Sequence, residues 1–197
     1  MRLFVRLFLL TVLGFAVPLL QNEGTLGIAM DQPSSGVIEA IIKLDKTTCR
    51  IGDTVNLSCS LTNKTKRELK ILPTRRYAVH WLRVVSADGK PMREILSVII
   101  DWNESLAADE IVVLKPNESY TRRLTGRAVQ GKQRDLSHAE KIDGTFLDFK
   151  DSAVLLAGPG IYSISLRFES KDSKGATSQE VWEGSVESVP VVLRIER

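Results

Sequence analysis

From Leu156 to Phe168 the chain reads Leu-Ala-Gly-Pro-Gly-Ile-Tyr-Ser-Ile-Ser-Leu-Arg-Phe, and no other stretch limits the fold so strongly. Tyr162, Ile164, Leu166 and Phe168 fall on one face, and Ser163, Ser165 and Arg167 on the other. A period of two belongs to a strand with one face buried and one wet. Gly158-Pro159-Gly160 is a rigid turn that feeds it. Pro159, Gly160 and Tyr162 are therefore read as structural residues.

The rest of the chain follows the same rhythm. Val55, Leu57, Cys59 and Leu61 alternate with polar residues, and Val37–Leu44 and Val189–Ile195 read as a first and a last strand. Tyr77–Ser86 reads as a central strand, and the Asp88-Gly89 turn predicts a hairpin to a partner within 92–100. Lys115-Pro116-Asn117-Glu118-Ser119 has turn chemistry. No segment carries a long 3.6-residue period, so the expectation is all-β: an antiparallel two-sheet sandwich. Gly126–Thr145 breaks the rhythm with about twenty mostly polar residues. It is read as one long polar insertion loop, and connections of that length are usually functional or mobile.

Two arginines precede an apolar run from Leu7 to Leu20, the layout of a secretory signal peptide. The run is too short, and too broken by Gly14 and Pro18, to span a bilayer comfortably. Residues 1–29 are assigned to the signal, 30–36 to a linker and 37–197 to one domain, secreted or periplasmic, with no membrane span after cleavage. Removing 29 of 197 residues leaves 168, enough for one core. The net charge of +3 on the full chain gives no reason to expect a nucleic-acid or anionic-membrane partner. Cys49 and Cys59 are the only cysteines, and an even count in an exported chain predicts a disulfide between them. A simple hairpin about Gly52-Asp53 would not bring them opposite each other, so the bridge requires a strand that bends or changes sheet.

Three motifs, taken in order, resemble immunoglobulin-like or fibronectin-type-III-like domains of secreted, mainly bacterial, proteins. They are Gly52-Asp53-Thr54-Val55 leading into Leu57-Ser58-Cys59-Ser60-Leu61-Thr62-Asn63, the Leu114–Ser119 turn with Asn117 where such turns carry glycine, and Gly158–Tyr162. The last is similar to a tyrosine corner, whose ring lies in the core and whose hydroxyl ties back to upstream backbone. The chain departs from antibody-type domains at Ile164, where those carry the second core cysteine. The resemblance implies an immunoglobulin-like sandwich and by itself assigns no activity.

No catalytic, cofactor or metal set is legible. His80 and His138 are the only histidines; the first reads as a core or sheet residue and the second as solvated. There is no Gly-x-Ser-x-Gly, no His-Glu-x-x-His and no Cys-x-x-Cys. The expectation is a non-enzymatic, cofactor-free module that binds a protein or a cell-surface component. Trp102 and the insertion loop, with Arg127, Gln133 and His138, are its candidate partner-binding residues. The alternative is a proteinase inhibitor that presents the 126–145 loop to a protease.

Overall fold

The computed structural model describes residues 36–73, 78–97, 111–170 and 181–197. The signal segment, the linker before residue 36 and Trp102 lie outside the described residues. The described chain is all-β, as expected, apart from one 3-10 turn at Ala78–Trp81. Its strands are β1 (Ile38–Leu44), β2 (Thr48–Arg50), β3 (Thr54–Asn63), β4 (Leu69–Ile71), β5 (Leu82–Ser86), β6 (Arg93–Leu96), β7 (Val112–Leu114), β8 (Ser119–Asp135), β9 (Glu140–Asp148), β10 (Ser152–Leu156), β11 (Gly160–Ser170), β12 (Gly184–Glu187) and β13 (Val191–Glu196).

A six-stranded antiparallel sheet runs β1-β3-β8-β9-β10-β6. A second sheet is built on β11, which pairs with β5, with β13 and, further along, with β12. β2 joins β13 in parallel, and β4 pairs with β7 apart from both sheets. The main core draws on both larger sheets: Val55, Leu57 and Leu61 from β3, and Ile164, Leu166 and Phe168 from β11, are all buried. Burying one such side chain stabilises by about 1.5–3 kcal/mol. Fully buried Trp81 packs against Phe168, with ring centroids 5.3 Å apart, and the Arg122 guanidinium lies 5.2 Å from its ring centroid.

The Leu156–Phe168 stretch folds as its pattern requires. Tyr162 is buried and its hydroxyl donates to the Gly158 carbonyl at 2.5 Å. Gly158 sits at φ +132°, a conformation that strains any residue with a side chain, while Gly160 begins β11. Asn117 adopts φ +62°, which explains how asparagine stands where similar turns carry glycine.

Four expectations need correction. The predicted Tyr77–Ser86 strand begins only at Leu82, because the 3-10 turn before it drives Trp81 into the core. The Asp-Gly turn forms, with Gly89 at φ +81°, but β5 and β6 then part into different sheets, and among the described residues of the two arms only Val85 and Pro91 remain bridged. Cys49 and Cys59 form no disulfide; both are free and buried. The chain changes sheet at Gly52 (φ +100°), so Cys49 pairs with Ile195 in one sheet while Cys59 lies in β3 of the other. An extended strand advances about 3.3 Å per residue, and β3 carries Cys59 away from that turn beyond bridging reach. Burial pushes the Cys59 thiol up to about 12, with Arg122 pulling weakly the other way.

The fourth correction concerns the long loop, which is a hairpin. β8 and β9 pair continuously from Arg127–Asp148 to Asp135–Glu140. Beyond Arg127, β8 has left β3, and this distal arm bends over the outer side of β10 toward β6. Gly131 and Gly144 face each other at the bend, and a Cβ on Gly144 would come within 2.7 Å of Leu155 Cδ1. Beneath the arm Ile95, Phe146 and Ala153 form a second, smaller core, with Val129, Ile142 and Leu155 packed against it.

Candidate functional site

The tip of the arm is clasped to β6 by a buried carboxylate. Asp135 ends β8, residues 136–139 turn, and Glu140 opens β9. Asp135 is fully buried. Its Oδ1 accepts from Ser137 N–H at 3.1 Å and Ser137 Oγ at 2.6 Å. Its Oδ2 meets His138 Nδ1 at 2.9 Å and accepts from Arg93 Nη2 at 2.9 Å. The same Arg93 nitrogen bonds Glu140, and Leu136 N–H donates to the Leu96 carbonyl at 2.9 Å. Burial alone would raise the Asp135 pKa. The bonds from Ser137, His138 and Arg93 outweigh it and hold the carboxyl well below the usual carboxylate range. Arg93 is held above its usual range by Glu140 first and Asp135 second.

Serine, histidine and aspartate meet here without making a hydrolytic triad. A triad places the carboxylate on one imidazole nitrogen and the nucleophile on the other. Here Ser137 Oγ, at 2.8 Å, and Asp135 both converge on His138 Nδ1, and the serine proton is directed to Asp135. Asp135, His138 and Glu140 also bring their ligand atoms within 4.8 Å of one another, as metal ligands would. The Arg93 guanidinium bridges the two carboxylates, so a metal ion would have to displace a charge already matched to them. The cluster acts as a fastener.

What the clasp holds out to solvent is basic. Lys132 and Arg134 of β8, with Lys141 of β9, are exposed along the outward side of the arm, with Asp143 opposite Lys132. Arg134 and Lys141 are directly opposed across the two strands. Sequence reading missed this stripe, because its charges become one face only once the segment is paired.

The candidate binding residues spread around the arm. Arg127 is exposed at its root and donates Nε–H to the Gly52 carbonyl at 3.0 Å. Gln133 is half-buried opposite Ile142, on the side turned toward the small core. His138 is exposed at the tip and belongs to the clasp. Elsewhere, half-buried Trp182 stacks on Phe168 at 6.1 Å, and His80 lines a polar pocket of about 220 Å³ with Glu94, Arg167 and Glu169.

No family model matches the chain, and no curated protein matches it.

Proposed function

We propose that this is an exported, non-catalytic immunoglobulin-like module that binds an acidic partner, a protein or a cell-surface component, through the outward face of the clasped arm. Three features support the sandwich reading: a core shared by two sheets, the tie from Tyr162 to Gly158, and the order of the turn motifs. Export rests on the arginine-flanked apolar leader.

The observation that carries the binding reading is the opposition of Arg134 and Lys141 on an exposed two-stranded arm. Like charges facing across a strand pair are destabilising. The buried Asp135 clasp nonetheless holds these two in register, and Lys132 extends the stripe. A fixed basic face that costs stability is matched to carboxylates or other anions on a partner.

Salt-gradient elution from heparin, used as a polyanion probe, tests the assignment. The combined Lys132→Glu, Arg134→Glu and Lys141→Glu variant should elute at clearly lower salt than a control with three reversals away from the arm, at exposed Lys66, Arg67 and Lys115. Equal losses would mean that retention reflects net charge alone, and would remove the arm as the site. The inhibitor alternative must now use the four-residue turn at 136–139; assay against a panel of secreted proteases addresses it.

A further inference from the structure

β1 is the outer strand of the six-stranded sheet, and among the described residues it pairs only with β3. Lys64 N–H donates to the Val37 carbonyl and Asp45 N–H to the Asn56 carbonyl. Both belong to the same antiparallel register, in which residue numbers across the pair sum to 101. Hydrogen-bonded positions alternate along such a pair. The odd-numbered residues of β1 therefore point their backbone groups at β3. Ile38, Ala40, Ile42 and Leu44 point theirs outward, toward an edge that no other strand among the described residues pairs with.

The side chains on this edge are self-complementary. Glu39, Ile41 and Lys43 share the outer face, evenly spaced, and each is exposed. When a second β1 is laid antiparallel with Ile41 opposite Ile41, Glu39 of each copy meets Lys43 of the other. In that register, and with the same centre, Ile38 pairs with Leu44 and Ala40 with Ile42. These are the residues whose N–H and C=O groups are free to bond outward. A shift of the centre to Ile42 sets Glu39 against Asp45, and a shift to Ala40 leaves both charges opposite apolar residues. Only the Ile41-centred register satisfies the ion pairs and the full backbone ladder together.

Beside the edge lies a groove of about 610 Å³ between β1 and the segment 186–191, where Val189 is 65% exposed. In the continued sheet the even-numbered residues of the incoming β1 lie on the same side as Ile38 and Ile42, the side that each chain buries in its own core. An edge strand of seven residues without proline is a ready template for another strand.

We propose that the occupant of this edge is a second copy of the chain. The two β1 strands pair antiparallel about Ile41, so that two six-stranded sheets become one across a two-fold axis. The contact is isologous and closes on itself, which limits assembly to a dimer. Glu39 also pairs with Lys64 of its own chain at 3.1 Å, and that pair joins the cross-copy charges in one network.

Sedimentation equilibrium of the purified protein tests this, with thermal unfolding to confirm that each variant folds. The native protein should show a monomer–dimer equilibrium that weakens with added salt. Lys43→Glu places Glu39 against a carboxylate twice per dimer and should weaken association about tenfold to a hundredfold. The double variant Glu39→Lys with Lys43→Glu restores opposite charges and should restore the dimer. Ile41→Cys should cross-link two copies on mild oxidation, because facing residues at a non-hydrogen-bonded pair stand within disulfide reach, Cα–Cα about 4.5 Å. A strictly monomeric native protein overturns the proposal. So does a dimer indifferent to Lys43→Glu, or one that the Ile41→Cys substitution fails to cross-link.

Discussion

Replacing Asp135 with alanine should detach the arm while the main core stays folded. The carboxylate accepts from Ser137, Arg93 and the His138 edge, and it is fully buried. Hydrogen bonds to a charged group contribute about 1.5–3 kcal/mol each. The donors left behind recover water readily, since Arg93 and His138 side chains are 41% and 64% exposed and Ser137 is exposed. The net cost is therefore nearer one such bond than four, about 2–3 kcal/mol. For a domain of this size that lowers Tm by roughly 4–12 °C. The sign of the pH dependence follows from the lowered pKa. A carboxyl depressed in the folded state stabilises above its unfolded value, about pH 4, and the stabilisation fades as pH falls through the folded value. The gap between native protein and variant should thus shrink as the pH falls below about 4. Hydrogen exchange adds the spatial test: amides of 129–135 and 140–144 should lose protection while those of β3 and β11 keep theirs. Unchanged protection of the arm, or a gap that widens below about pH 4, would show that the Asp135 clasp does not hold the arm in place.

Other substitutions probe the frame. Tyr162→Phe deletes only the hydroxyl bond to Gly158 and should cost about 0.5–1.5 kcal/mol in chemical denaturation, with an unchanged m-value. Gly158→Ala forces a side chain into φ +132° and should cost about 1–3 kcal/mol, whereas Gly160→Ala, whose Cβ makes only ordinary contacts, should stay within about 0.5 kcal/mol. Asn63→Ala removes a buried amide that donates to the Arg67 and Leu114 carbonyls and accepts from Thr65, so a loss of about 2–3 kcal/mol is expected by thermal unfolding.

How much of this was legible depended on whether one face of a segment met one core. β3 and β11 each send one apolar face into the main core, and the alternation of their residues marks where they lie. The arm was illegible because its strands serve two cores. Ala128 and Leu147 face the main core, while their neighbours Val129 and Phe146 face the smaller one. Adjacent apolar residues then cancel the period of two, and the polar residues between them look like loop. The clasp was hidden for a different reason: Arg93 and Asp135 are 42 positions apart and meet only because the sheet curls. The cysteine pairing failed on topology, since no local pattern announces that Gly52 carries the chain from one sheet to the other.

The two free thiols have a further consequence. A chain whose core cysteines stay reduced needs no oxidant to reach its native state, so its maturation is independent of oxidoreductase supply. The same thiols are built-in clocks. Cys59 has no exposure, and its pKa of about 12 leaves almost no thiolate at neutral pH, so an alkylating reagent can reach it only when the sheets separate. Its labelling rate would report global openings of the domain without denaturant and without an engineered probe site.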